Sequence, residues 1–200
     1  MKTVKLLLLV IPLVFISAQF RQLQLGDKAP YLNVKMMDVS EKMIALEDAV
    51  GENGLLVMFS CNTCPFVIMW EDRFDDIKEW CDENKIGMIL LNPNYGKRKR
   101  ADSFEAMQKH ARMQKYTFYY VLDKDSKLAN SFGAQTTPHV FLFNRDMNLS
   151  YKGAIDNNAK DAEKVTKHYL KEAIFEVGAG QNVTVTQTPP LGCSIKRKYD

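Results

Sequence analysis

Several absences narrow the field before any motif is read. Excess charge is small: 27 lysines and arginines against 24 acidic residues leave +3 over 200 residues. A nucleic-acid binder usually shows a clearly basic domain, so no nucleic-acid partner is expected. No internal repeat or long low-complexity tract is present. No apolar run is long enough to span a bilayer comfortably, which takes about 20 residues. The run Leu6 to Ile16 instead sits behind Lys2 and Lys5 and ahead of Ile16-Ser17-Ala18. Positive residues, apolar core and small residues in that order predict a cleaved signal peptide over residues 1–18. No cysteine stands near that cleavage point, so no lipid anchor is expected. The mature chain is expected to be secreted or periplasmic, without a membrane span, where disulfides persist.

Cysteine is also scarce. There are four, Cys61, Cys64, Cys81 and Cys193, and only the first two are close. A zinc site would want a second close pair, so no metal is expected. What remains is ordinary core material, 46% hydrophobic, enough for one domain over residues 24–180 with a tail at 181–200.

The chain is organised around Phe59-Ser60-Cys61-Asn62-Thr63-Cys64-Pro65. The apolar run Leu55 to Phe59 leads in and reads as a strand covered on both faces. A helical stripe leads out, with Phe66, Trp70, Phe74, Ile77 and Cys81 at steps of four, four, three and four. One helix is therefore expected from Pro65 to about Asn84, with Pro65 in its first turn, where the missing N–H costs nothing. Thiols at such a junction face the positive end of the helix, which favours thiolate. The spacing also lets the two sulfurs form a local disulfide. Dithiol–disulfide chemistry at Cys61 and Cys64 is the reading, with no cofactor beyond that redox-active bond.

Elsewhere, Tyr31 to Met37 and Met43 to Leu46 predict an N-terminal hairpin. Further strands are expected at Gly87 to Leu91, Tyr119 to Leu122, Val140 to Phe143 and Leu149 to Gly153. Helices are expected after Asp102 or Ser103, either of which suits a cap, from Ser126 to Phe132, and from 159 to 177. Lys97-Arg98-Lys99-Arg100 reads as a solvated loop or a docking patch. Cys81 falls on the buried helical stripe and reads as a core residue. Cys193, in a Gly-Cys-Ser turn, is open to three readings: a packed residue, a bridge to Cys81, or a third redox thiol near Cys64. His139 is an accessory candidate, as a proton shuttle. The order of elements predicts an α/β fold, a central mixed sheet flanked by helices.

Seven motifs in order carry a family resemblance: L-G-D-K-A-P at 25–30, F-S-C-N-T-C-P-F-V at 59–67, E-D-R-F at 71–74, D-S-F-E-A-M at 102–107, T-P-H-V-F-L-F at 137–143, G-A-I-D at 153–156 and T-P-P-L-G-C-S-I-K at 188–196. Over residues 24–198 the chain resembles the thioredoxin superfamily. More narrowly, it is similar to secreted redoxins related to alkyl hydroperoxide reductase and thiol-specific antioxidant proteins. The resemblance implies a thioredoxin-like fold and a thiol–disulfide oxidoreductase. It implies an exposed attacking thiol at Cys61 and a buried resolving one at Cys64. It implies a cis bond at Thr137-Pro138, whose loop binds substrate as an added strand. The implied partner is a protein with a thiol or disulfide, or a small thiol.

The match has departures. Asn62-Thr63 stands where thioredoxin has Gly-Pro, Ser60 where it has Trp, and Leu55 where it has a buried acid. A second alignment makes Cys64-Pro65 the peroxidatic pair of a peroxiredoxin, with peroxide as substrate and Arg73 the nearest arginine in sequence. A redox-inactive peptide-binding module with this fold is the remaining alternative.

Overall fold

The computed structural model describes residues 22–198, so the signal-peptide reading of residues 1–18 lies outside the described residues. A short hairpin comes first, β1 (Met36–Met37) antiparallel to β2 (Met43–Ile44). Its turn closes with Asp38 N–H donating to Lys42 O at 2.9 Å. Then follow β3 (Gly54–Phe59), α1 (Pro65–Trp70), α2 (Phe74–Glu83), β4 (Ile86–Asn92), α3 (Phe104–Met113) and β5 (Tyr119–Leu122). The chain continues through α4 (Lys127–Phe132), β6 (Thr136–Thr137), β7 (His139–Asn144), β8 (Leu149–Gly153), α5 (Tyr169–Gly178) and β9 (Cys193–Ser194).

Five strands make one mixed central sheet in the order β5, β4, β3, β7, β8. β4 and β5 are parallel, while β7 runs antiparallel to both β3 and β8. Ser60 N–H reaches Leu91 O at 2.8 Å where β3 passes β4. Every residue of β3 is buried, as its unbroken apolar run requires. Its side chains alternate between two cores. Leu56 and Met58 join Leu90, Val140, Leu142, Trp70, Ile77 and the helices α1, α2, α3 and α5. Leu55, Val57 and Phe59 join Phe141, Phe143 and α4 on the opposite face. There Phe132 meets Phe59, Phe141 and Phe143 edge-on, an arrangement aromatic rings favour.

Three elements differ from expectation, each for a local reason. The helix after Pro65 is not continuous: a tight turn at Glu71–Arg73 separates α1 from α2. Both ends of that turn are pulled inward. Glu71 meets His110 at 2.5 Å and accepts from the Tyr116 hydroxyl. Arg73 pairs with Asp156 at 2.5 Å and donates to the carbonyls of Asn158 and Ala159. The last helix starts at Tyr169 rather than 159. Before it, the Asn157 side chain accepts from Thr166 N–H at 3.0 Å and Lys167 N–H at 3.1 Å, holding that stretch as a loop. The first strand is two residues long instead of seven, because Tyr31 turns at φ 55° and Val34 N–H closes back on Tyr31 O.

The tail returns to the domain. Thr188 N–H donates to Lys152 O at 3.1 Å, and its hydroxyl meets Tyr151 at 2.9 Å and Ala154 N–H at 3.0 Å. Gly153 is required here, since a Cβ would stand 2.1 Å from Thr188 Oγ1. Farther on, β9 pairs antiparallel with β6, Thr137 opposite Cys193 and Thr136 opposite Ser194.

Candidate active site

The carboxyl end of β3 delivers Cys61, and the first turn of α1 begins after Cys64, its N-cap residue. Pro65 takes the first helical position. Both thiols are free and covered, Cys61 2% and Cys64 4% exposed. The exposed Cys61 that the family resemblance implies is therefore not what the fold presents. Chain from three directions encloses the pair: the Cys61–Cys64 loop, the loop before β7, and β9.

Thr137, the residue before a cis Pro138, touches both sulfurs. Its Oγ1 lies 3.2 Å from Cys61 Sγ, and its carbonyl oxygen lies 3.0 Å from Cys64 Sγ and accepts from that thiol when it is protonated. Cys193 is the third sulfur, half-buried and near enough to Cys64 for each to shift the other's hold on its proton. Of the three readings open for Cys193, the fold places it beside Cys64, while Cys81 sits in the core on α2.

The shared proton is not divided evenly. Cys61 and Cys193 lie near enough to Cys64 to favour its thiolate, and the backbone at Val67 and Cys193 acts in the same direction. Against burial, these neighbours hold the Cys64 thiol below its ordinary value and so favour its thiolate. Cys61 is pushed far up, first by its bond to Cys64, then by burial and the nearby Asp102 carboxylate. The sign for reactivity follows. A thiol at its ordinary value of 9.0 loses thiolate as pH falls below that value. Cys64 instead should keep its alkylation rate to a distinctly lower pH than an ordinary thiol does. Iodoacetamide kinetics with ultraviolet thiolate absorbance, on Cys61→Ser and wild-type protein, checks this.

Asp102 is the residue that reading the sequence missed. Ser103, not Asp102, caps α3, accepting from Ala106 N–H at 3.1 Å. Asp102 is 0% exposed and faces the Cys61–Cys64 loop. It accepts from Asn62 N–H at 2.9 Å, Asn92 Nδ2 at 2.9 Å and Asn94 Nδ2 at 3.2 Å. Asn62, between the cysteines, also donates to Ala101 O at 2.7 Å and accepts from Tyr120 OH at 2.8 Å. All the strong hydrogen-bonding groups of the Asn62 side chain are thus engaged, and the loop is fixed from beneath. A carboxylate in a buried polar cluster is the only signal, and adjacency to Ser103 disguised it as a cap.

Other candidates fall outside the sulfur cluster. His139 stacks on Phe141 at 4.5 Å, on the face of β7 opposite Val140 and the thiols. Its Nδ1 accepts from Gln135 N–H at 3.2 Å, and burial holds its pKa at about 3, so it is neutral and faces away from the sulfurs. Arg73 is committed to Asp156 and two carbonyls, not to a thiolate. In the basic run, Arg98 turns inward to Asn92 O and Asp102 O, each at 2.8 Å, so the run is not wholly solvated. Thr63 and Pro65 are exposed at the rim.

Comparison with known proteins agrees with this fold. A structure described as an uncharacterized conserved protein from Geobacillus kaustophilus is 28% identical, with TM-score 0.81, covering 88% of this chain and 94% of that one. A hypothetical protein from Sinorhizobium meliloti 1021 is 26% identical, with TM-score 0.81, over 90% and 98%. The thioredoxin domain of a thiol-disulfide oxidoreductase from Bacteroides vulgatus is 17% identical, with TM-score 0.54, over 66% and 89%, a likeness of fold alone. No curated protein matches. The AhpC/TSA family model matches residues 25–152, well over half the sequence, and with the thioredoxin-like sheet around Cys61 and Cys64 this settles the family: the chain belongs to the AhpC/TSA family.

Proposed function

We propose that the protein is a thiol–disulfide oxidoreductase, working outside the cytoplasm through Cys61 and Cys64. Family membership and a thioredoxin-like fold support a redox enzyme in general. One observation carries the finer reading. Both sulfurs rest on Thr137, at 3.2 Å and 3.0 Å, so the dithiol and the backbone edge before Pro138 form one unit. An incoming strand paired on that edge would bring its own sulfur beside the pair.

We assign the attack to Cys64, the N-cap residue of α1, where the positive end of the helix favours a thiolate, and this reverses the roles that the resemblance implies. The Cys64 thiolate attacks one sulfur of a disulfide R–S–S–R′. A Cys64–S–R bond forms, the S–S bond breaks, and R′S⁻ leaves to be protonated. That step removes the charge beside Cys61, so its thiol ionises more readily, with the Thr137 hydroxyl as donor. Cys61 then attacks Cys64 Sγ and releases RS⁻. The two protein thiols end as one Cys61–Cys64 disulfide, and R–S–S–R′ ends as two thiols. No metal or organic cofactor enters. The signal-like residues 1–18 support the site of action.

The peroxidase reading shares the Cys64 thiolate, but Arg73, the arginine nearest in sequence, is held by Asp156. Reduced protein mixed with a small peptide disulfide should turn over with glutathione as reductant, while hydrogen peroxide should be consumed far more slowly. Fast catalytic peroxide loss with no disulfide turnover would overturn the exchange reading. Absence of both would leave a binding module.

A further inference from the structure

The cover over the thiols is the chain's own tail. β9 lies on β6 with Cys193 opposite Thr137, the residue that touches both Cys61 and Cys64. An antiparallel strand carrying a cysteine thus already occupies the edge that the proposed reaction needs. We propose that residues 189–194 are a displaceable stand-in for substrate. They must lift from β6 before a partner can reach Cys64, and the partner they imitate is an extended protein segment with glycine before its cysteine. This rests on the exchange reading and names its substrate class.

The tail is pinned at two points, with only the two-residue pairing to β6 between them. Upstream, Thr188 is buried and bonded to Tyr151, Lys152 and Ala154. Downstream, Ile195 is 5% exposed and its N–H donates to Gln135 O at 3.1 Å. Lys196 N–H then donates to Asn94 Oδ1 at 2.9 Å, and Lys196 O accepts from Gly96 N–H at 2.8 Å. Between the pins the segment has no fully buried residue, and Leu191 is 43% exposed. A span with two-residue pairing and little buried apolar surface opens at a small fraction of the global unfolding free energy. It lifts as a loop while both anchors stay in place.

Gly192 explains the preference for glycine. A Cβ there would stand 2.4 Å from Thr137 O and 2.7 Å from Thr137 C. Only a residue without a side chain lets the strand settle this close to β6. A partner strand taking the same place meets the same wall.

Gly192→Val therefore loosens the cover without removing it. In the reduced full-length protein, Cys64 alkylation by iodoacetamide, read by mass spectrometry, should quicken about tenfold, the change that about 1.4 kcal/mol of lost docking produces. A peptide with the sequence of residues 188–196, its cysteine replaced by serine, should restore protection to the variant. Reduction of a disulfide-linked peptide containing Gly-Cys should also quicken, and that of one containing Val-Cys should not. Should Gly192→Val fold poorly by circular dichroism, Ile195→Ala loosens the downstream pin and serves the same test. Unchanged alkylation in a folded, loosened variant overturns the proposal even if the wild type exchanges disulfides. Faster alkylation with no disulfide reduction keeps the moving cover and sinks the exchange reading, and with it the substrate class.

Discussion

Cys64→Ser should lower thiol–disulfide exchange by about a thousandfold or more, the scale on which removing a nucleophile acts. Cys61→Ser should stop the reaction halfway. With Cys64 still a thiolate, the variant attacks its disulfide and releases one product thiol. With Cys193, the other free thiol beside Cys64, also changed to serine, nothing then displaces the second, so a stable mixed disulfide on Cys64 accumulates, visible as added mass that dithiothreitol removes. The neighbours of each sulfur decide which variant traps. Cys61, Cys193 and the backbone at Val67 and Cys193 favour a thiolate on Cys64, while the Asp102 carboxylate disfavours one on Cys61. Trapping by Cys64→Ser rather than by Cys61→Ser would show that Cys61 attacks first. Serine in place of either buried thiol is close in volume, so both variants should fold.

The second large effect belongs to Asp102. Asp102→Ala leaves Asn62 N–H, Asn92 Nδ2 and Asn94 Nδ2 without their acceptor. Unsatisfied buried donors cost about 1–3 kcal/mol each, so a loss of about 3–5 kcal/mol is expected after partial relaxation, measured by urea denaturation. Asp102→Asn is milder in stability and informative in chemistry. It removes the negative charge that raises Cys61, so the Cys61 thiol becomes more acidic. Release of the second thiol from the mixed disulfide should then quicken at neutral pH. If Asp102→Asn slows that release instead, the carboxylate acts on Cys61 as a proton acceptor rather than as a fixed charge.

The parts of the fold legible beforehand were those written in consecutive residues. Leu55 to Phe59 is buried on both faces, and an unbroken apolar run says so without knowledge of its neighbours. The junction of strand, paired cysteines, proline and helix is likewise local, as is the turn into β7 at Thr137-Pro138. What escaped depends on contacts across the sequence. Asp102 serves an amide 40 residues away, yet locally it looks like a cap beside Ser103. The break at Glu71–Arg73 is invisible in an apolar stripe that keeps its phase, because its cause is His110, Tyr116 and Asp156. β9 is two residues in a turn-like Gly-Cys-Ser, with a partner strand almost as short. Apolar periodicity alone also carried the last helix too far, since Asn157 and not hydrophobicity ends that stretch.

Cys81 has a use that its inertness creates. It is wholly enclosed on α2, and burial pushes its thiol far above the ordinary range. Breathing of the cover by the tail leaves it untouched, because it belongs to the innermost packing between α2 and the sheet. Its labelling is then a clock that starts only when the molecule as a whole comes apart. Read in the same sample as Cys64, it separates the motion of one lid from the melting of the whole house.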